Sequence, residues 1–171
     1  KACESVMQKI VSKGAQSCLH LHSTRDELFW EVKSLKIIET PVNDSFYQAK
    51  RTKEQLESTD KFLNASIGAT DFDQLIRANI LFTAKQKLSE TSMNEKIVEV
   101  WKNLHSGRID PLVFLEDVEL MRERLVKTVE KFGAKRVLYA GPECGLWSFP
   151  TYESALECLR RVSQAAVGFK K

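Results

Sequence analysis

The chain has 171 residues, of which 43% are hydrophobic and 29% charged, as in ordinary globular proteins. Its 26 basic and 23 acidic residues leave a net charge of only +3, which gives no basis for a nucleic-acid-binding surface. No apolar run reaches the roughly 18 residues of a membrane-spanning helix, and the four cysteines are too dispersed for a disulfide framework. We therefore expect a single domain, residues 1–171, in a cytoplasmic protein that binds neither nucleic acid nor membranes.

Short apolar runs of strand length alternate along the chain with longer segments of helical period. The predicted strands are residues 17–22, 35–39, 62–69 and 136–141. The predicted helices are residues 4–12, 71–88, 92–105 and 110–132, and a last helix that opens at Pro150-Thr151. Such alternation predicts an α/β fold with a parallel sheet joined by right-handed crossovers. Four units form either half of a (β/α)8 barrel or a small open sheet, and the additional helix at 92–105 enlarges one connection.

The first predicted strand carries two histidines, His20 and His22, two residues apart. Side chains alternate across a strand, so both point to one face, which Cys18 shares. Two imidazoles at a strand end suit a metal ion, since each offers one neutral nitrogen ligand. The alternative is a pair of polar residues that are hydrogen-bonded to their neighbours.

Two further candidate ligands follow later strands. Glu39 ends the second strand, and its alternative role is a solvated carboxylate at the rim. Cys144 lies in a glycine-containing turn just after the fourth strand, where the alternative is a small buried apolar side chain. Together with the histidines they fall at the carboxyl ends of parallel strands, where (β/α)8 barrels build their active sites. Two nitrogens, one oxygen and one sulfur form a set natural to tetrahedral zinc.

Three segments resemble the zinc-binding, C-terminal half-barrel of cobalamin-independent methionine synthases. They are residues 20–22 (His-Leu-His), 37–40 (Ile-Ile-Glu-Thr) and 142–146 (Pro-Glu-Cys-Gly-Leu). The family has His-x-Cys, a strand-ending Glu and Pro-Asp-Cys-Gly-Leu in the same order. The resemblance implies the second half of a TIM-type (β/α)8 barrel, with zinc held by His20, Glu39 and Cys144. His22 stands where the family has a cysteine ligand.

The resemblance also implies a reaction, the transfer of a methyl group to the thiol of homocysteine to form methionine. The donor would be a methylated, polyglutamylated folate or, as in some short relatives, a methyl-corrinoid. Zinc lowers the pKa of a thiol, which is about 8.5 when free, so homocysteine would bind as the thiolate. Histidine in place of cysteine removes one negative charge from the ligand set. The metal is then a stronger Lewis acid and the thiolate a weaker nucleophile, which suits a more reactive donor, a slower enzyme or a degenerate site.

The sequence is also compatible with other assemblies, functions and ligands. Four strands are half of a barrel, so we expect a fragment, a subunit that needs the N-terminal half-barrel, or a self-associating half that is inactive alone. A non-catalytic role in assembly and a methyltransferase for another thiol, such as coenzyme M, are the alternative functions. Cys18 is the alternative fourth ligand, but it lies four residues, roughly 13 Å, from His22 along a strand.

Two residues at the same rim are candidates for substrate contact. Asp71 follows the third predicted strand, and helix N-capping is its alternative role. Trp147 follows the Cys144 turn, and packing is its alternative role. Trp101 is expected on a helix face, in the core or against a partner.

Overall fold

The computed structural model describes residues 1–22, 27–84, 88–167 and 169, and in these residues four strands alternate with seven helices. The strands are β1 (Cys18–His20), β2 (Ile37–Glu39), β3 (Phe62–Gly68) and β4 (Val137–Pro142). The helices are α1 (Ala2–Ser12), α2 (Leu28–Glu31), α3 (Arg51–Ser58), α4 (Phe72–Thr83), α5 (Glu90–His105), α6 (Val118–Phe132) and α7 (Tyr152–Val167), with 3-10 turns at Ser45–Tyr47 and Pro111–Phe114. Within the described residues, no helix is both long and apolar enough to cross a membrane.

The four strands form one sheet in the order β1-β2-β3-β4, and every neighbouring pair is parallel. The predicted parallel α/β sheet is therefore confirmed. Because the spatial order follows the chain order, right-handed crossovers bring the connecting helices to the same face of the sheet. A doubly wound sheet would instead reverse its strand order and place helices on both faces. The order is compatible with half of a (β/α)8 barrel.

The two faces of the sheet differ in chemistry. Ile38, Leu63, Ala65 and Ile67 are almost fully buried in a core with residues of α6 and α7. The strand register places a different set on the opposite face, namely Cys18, His20, Glu39, Asn64 and Tyr139. These residues are exposed or only partly buried.

The sheet is strongly curved toward its polar face. Tyr139 on β4 donates a hydrogen bond to Gln16, just before β1, over 2.8 Å between Oη and Oε1. In a flat sheet three strand spacings would hold β1 and β4 about 14 Å apart. This contact, together with the 3.8 Å between Cys144 Sγ after β4 and His22 Nε2 after β1, indicates that the sheet curls.

A second, smaller core lies beside the sheet in the enlarged connection between β3 and β4. Helices α4 and α5 pack around Phe72, Ile76, Met93 and Phe114. Phe149 contacts both this core and the core under the sheet. The enlarged connection that the sequence predicts is thus a helical pair, hereafter the α4–α5 hairpin, attached next to the carboxyl ends of the strands.

Several predicted boundaries differ from the structure because a competing capping residue decides the element. The predicted helix 110–132 is divided, since Asp110 caps a 3-10 turn and Asp117 caps α6 through the Leu120 amide. The helix predicted over 92–105 begins earlier, at Glu90, because Ser89 caps α5 by accepting a hydrogen bond from the Ser92 amide.

Several predicted elements are shorter than expected, and two of them bear on the site and its cleft. The first strand, predicted over 17–22, ends at His20, so His22 lies just beyond it. The helix predicted over 71–88 ends at Thr83, and residues 85–87 of that prediction lie outside the described residues.

Candidate metal centre and the adjacent cleft

Three of the four predicted metal ligands, His20, His22 and Cys144, come together at the carboxyl edge of the sheet. Each offers one ligand atom, and within the described residues these atoms all lie within 4.8 Å of one another. Cys144 Sγ is 3.8 Å from His22 Nε2. The two imidazole rings meet edge to face, with centroids 4.8 Å apart. His20 ends β1 and Cys144 follows β4, so curling of the sheet is what brings the two edge strands to one centre.

The His20 imidazole has the character that a metal ligand requires. Both of its ring nitrogens are buried and make no hydrogen bond within the described residues. Its Nδ1 lies 3.5 Å from Glu39 Oε1, near enough for electrostatic contact but without hydrogen-bond geometry. Buried polar atoms in native proteins are nearly always paired, so the two His20 nitrogens are available to an ion, a ligand or a water molecule. Together with Cys144 and His22, His20 could hold a metal ion.

Other unpaired buried atoms lie in the same region. Within the described residues they are Thr40 Oγ1, Asn64 Oδ1 and Ser66 Oγ. The two hydroxyls have the buried phenol of Tyr47 as a neighbour. His20 is therefore the more informative residue, and Asn64 Oδ1 is the next.

Glu39, the fourth predicted ligand, stands behind His20 and outside the three-residue group. Its Oε1 faces His20, while its Oε2 accepts a hydrogen bond of 2.9 Å from Asn64 Nδ2. A carboxylate behind a ligating histidine fixes the orientation and raises the basicity of the ring. Asn64, which the sequence interpretation missed, holds that carboxylate in place.

Cys18, the alternative ligand, lies beside Glu39 and not in the group. Its Sγ is 3.9 Å from Glu39 Oε2. Burial, and then the charge of Glu39, raise the pKa of the Cys18 thiol to about 11. The structure therefore gathers His22 rather than Cys18 with His20 and Cys144.

Glu143 fastens the turn that carries Cys144, a role that the sequence interpretation did not foresee. Its Oε2 accepts a hydrogen bond from the Val42 amide, and its Oε1 accepts one from the Thr70 amide, each 2.8 Å long. Its own amide donates to the Gly68 carbonyl. This buried carboxylate ties the Cys144 turn to the loops after β2 and β3, and so sets the position of the thiol.

A cleft of about 1290 Å³ opens next to the candidate metal centre. His22 and Cys144 line it, together with both predicted substrate residues, Asp71 and Trp147. Asp71 caps α4 by accepting a hydrogen bond of 3.2 Å from the Gln74 amide, which confirms its alternative role, while its contact with a substrate stays a prediction. Trp147 is 88% exposed, and most of its surface is therefore open to solvent.

The α4–α5 hairpin forms the far wall of this cleft. Trp101 lines it, donates a hydrogen bond of 2.6 Å to Asp73 Oδ1 and stacks on His105 at a centroid distance of 5.5 Å. Trp101 also contacts Phe72, so it belongs to the small core as well as to the cleft. The sequence shows the hairpin as an enlarged connection, but only tertiary packing turns it toward the metal centre.

Comparisons with protein-family models, with curated proteins and with solved structures find no match. The family resemblance is accordingly a prediction drawn from three short segments of the sequence.

Proposed function

We propose that the chain is the metal-carrying half of a (β/α)8-barrel methyltransferase that methylates the thiol of homocysteine to give methionine. The observation that carries the proposal is the convergence of His20, His22 and Cys144 at the carboxyl edge of a parallel sheet. The three residues belong to the segments that resemble cobalamin-independent methionine synthases. By that resemblance the donor is a methylated folate or a methyl-corrinoid.

The shape of the sheet supports the half-barrel. Its sequential order, its curvature and its partly exposed polar face are those of a barrel wall whose interior is polar at one end. Strands β1 and β4 are the two edges of the sheet. Unpaired edges favour association with further strands. The complement is an N-terminal half-barrel or a second copy, and we expect the chain alone to be inactive.

The residues of the centre have distinct roles in this proposal. His20, His22 and Cys144 hold zinc, whose chemistry is to lower the pKa of a substrate thiol and keep it as the thiolate. Glu39 orients the His20 ring, and Glu143 holds the turn of Cys144. Three protein ligands leave one position of a tetrahedral site for the substrate sulfur. Asp71 and Trp147 then contact the parts of the substrates that extend into the cleft.

Metal binding by variants of the purified chain tests the proposal. Wild-type protein should bind about one zinc ion, and Cys144→Ser and His22→Ala should each weaken binding by at least about 100-fold because one ligand is lost. Cys18→Ala is the matched control, since that thiol lies outside the group, and it should keep its zinc. His22→Cys should restore the family ligand set and bind zinc as well.

Cobalt substitution supplies a readout that does not depend on activity. Cobalt-loaded wild type should show a thiolate-to-metal absorption band that Cys144→Ser lacks, and added homocysteine should intensify the band. Equal zinc content in wild type, Cys144→Ser and His22→Ala would reject the site. Zinc retention by His22→Ala together with loss by Cys18→Ala would move the site to Cys18. Zinc binding without any response to thiols would favour a structural metal and a role in assembly.

A further inference from the structure

The cleft beside the metal centre has an acidic lining. Of the described residues that line it, one is a lysine or arginine, namely Arg124, and four are acidic, namely Asp71, Asp73, Glu116 and Glu143. Glu116 engages both terminal nitrogens of Arg124, each at 2.6 Å, so this guanidinium is already neutralised. Among the lining residues that the structure describes, an anionic ligand such as a polyglutamate tail would therefore meet carboxylates and no unpaired lysine or arginine.

The groups that remain for a ligand are carboxylates and an aromatic face. Asp71 and Asp73 are exposed at the start of α4, and each carboxylate accepts a hydrogen bond on its Oδ1. Trp147 lines the same cleft with 88% of its side chain exposed. An open indole face next to carboxylates is the arrangement by which proteins bind quaternary ammonium and related cations, through cation–π attraction and long-range charge.

We infer that this cleft binds a methyl-onium cation, a sulfonium or a quaternary ammonium, whose methyl group is the one transferred. The inference rests on the proposed methyl transfer to a zinc-bound thiol, and it replaces the folate or corrinoid donor that the resemblance implies. Trp147 comes three residues after Cys144, and both residues line the cleft. A cation held against Trp147 would thus occupy the same cleft as the substrate thiolate.

The chemistry of an onium donor matches the ligand set of this centre. The lone pair of the substrate thiolate forms the new S–CH3 bond while the C–S⁺ or C–N⁺ bond breaks. The electrons of the broken bond leave with a neutral thioether or tertiary amine, and no proton has to be delivered. A methylated folate would instead expel an amide anion unless an acid protonated its nitrogen. A ligand set with a single thiolate leaves the substrate sulfur less nucleophilic, and a positively charged donor compensates for that loss.

Binding of small oniums to the zinc-loaded chain tests the inference without relying on turnover. The probes are trimethylsulfonium, choline and 3,3-dimethylbutan-1-ol, which is the neutral isostere of choline. Quenching of tryptophan fluorescence and calorimetry should show choline binding at least about 10-fold tighter than its isostere. Trp147→Leu and Asp71→Asn should each remove most of this preference, whereas Trp147→Phe should keep part of it.

The choice of variants allows a loss of onium binding to be distinguished from a loss of folding. Asparagine caps helices as well as aspartate does, so Asp71→Asn keeps the start of α4 intact while it removes the charge. Tyr152→Leu removes an aromatic ring that is 76% exposed outside the cleft, and it should bind choline as wild type does. Equal affinities for choline and its isostere, or a preference that survives both cleft variants, would overturn the inference.

Competition binding to the zinc-loaded chain then distinguishes the possible methyl donors without turnover, since we expect the chain alone to be inactive. Displacement of choline by trimethylsulfonium or by tetramethylammonium identifies the preferred class of onium. Tight binding of methyltetrahydrofolate triglutamate, while neither onium binds, would reject the inference and leave the proposed function standing. Onium binding by a chain whose zinc content does not depend on Cys144 would reject the proposed function instead.

Discussion

Lys61 and His20, at opposite ends of the sheet, differ in whether their buried polar atoms have hydrogen-bond partners. At the amino end, the buried ammonium of Lys61 donates hydrogen bonds of 2.8 Å to two backbone carbonyls, Val32 O and Leu35 O. At the carboxyl end, both ring nitrogens of His20 are buried and have no hydrogen-bond partner within the described residues. Lys61 is therefore paired within the protein, whereas the His20 nitrogens remain available to a ligand.

The amino end contains further saturated groups. The Ser17 hydroxyl donates to the Ser34 carbonyl and accepts from the Lys36 amide. Asp60 lies 3.0 Å from Arg136 and 3.5 Å from Lys36, and so links the starts of β4 and β2. In (β/α) folds the amino end of the strands serves stability and the carboxyl end serves chemistry, and the hydrogen bonding of this chain follows that division.

The largest expected change in stability comes from removing the buried ammonium at the amino end of the sheet. Lys61→Met should lower the free energy of unfolding by about 2 kcal/mol, because the Leu35 carbonyl loses its donor and the Val32 carbonyl keeps only the Leu35 amide. The burial that lowers the pKa of Lys61 makes the charged side chain costly, and its removal offsets part of the loss. Urea denaturation of wild type and variant measures the difference. Lys36→Met, at a half-exposed lysine of the same end, is the control and should change stability much less.

If Lys61→Met is as stable as wild type, the contrast between the two ends of the sheet is contradicted at the amino end, where the larger effect is expected. It would mean that the two carbonyls find water or another donor once the ammonium is gone. The hydrogen bonds of the polar groups at the amino end would then contribute little to the free energy of unfolding.

At the carboxyl end we expect a smaller effect, an increase in the free energy of unfolding. His20→Leu should raise the free energy of unfolding of the metal-free protein by about 1 kcal/mol, because it removes two unpaired buried nitrogens. The same change should abolish tight zinc binding. Urea denaturation in the presence of a chelator gives the first quantity, and zinc analysis gives the second.

His22→Leu is the matched control, since the exposed imidazole costs little when unpaired. It should lose zinc without gaining stability. A loss of more than about 1 kcal/mol in metal-free His20→Leu would show that the imidazole has stabilising partners. That outcome would remove the contrast between the two ends of the sheet.

The sequence predicts the carboxyl end better than the amino end, for a physical reason. Strand ends can be read from local pattern, so residues placed just after strands, such as His20 and Cys144, are found without knowledge of packing. The sequence places His22 within the strand, whereas it lies beyond the strand and still joins the group, because only one residue separates it from His20. The roles of Lys61 and Glu143 depend on which backbone groups distant loops present, and no local pattern encodes that.

Prediction from local sequence has the same limit for the helices. The helix α3 was missed because it is short and polar, and it buries only Thr52 and Leu56. The α4–α5 hairpin was anticipated as an enlarged connection, but its place along the cleft follows from the contacts of Phe72 and Phe149. Local signals thus give the elements and the edge of the sheet that carries the site, while the cleft arises from long-range packing.

The smallest expected effect concerns Asp60 and the acid side of the pH range. The hydrogen bond from Arg136, followed by that from Lys36, holds the pKa of the Asp60 carboxyl below its ordinary value of 3.8. A carboxylate whose pKa is lowered in the folded state contributes stability that is complete above 3.8. That contribution disappears as the pH falls through the lowered pKa of the native protein. Asp60→Asn should therefore lower the Tm by a constant, small amount near neutral pH, and the difference should shrink below about pH 4.

The asparagine variant is suited to this measurement because Asp60 has a positive φ of 50°, a conformation that asparagine adopts readily. Glu57→Gln, at an exposed carboxylate on α3, is the control and should not reproduce the pH dependence. Thermal unfolding of the three proteins from pH 7 to pH 3 gives the comparison. A Tm difference between wild type and Asp60→Asn that stays constant, or grows, as the pH falls would show that the ion pairs with Arg136 and Lys36 do not stabilise the amino end. Stability there would then come from the buried hydrogen bonds of Lys61 and Ser17 alone.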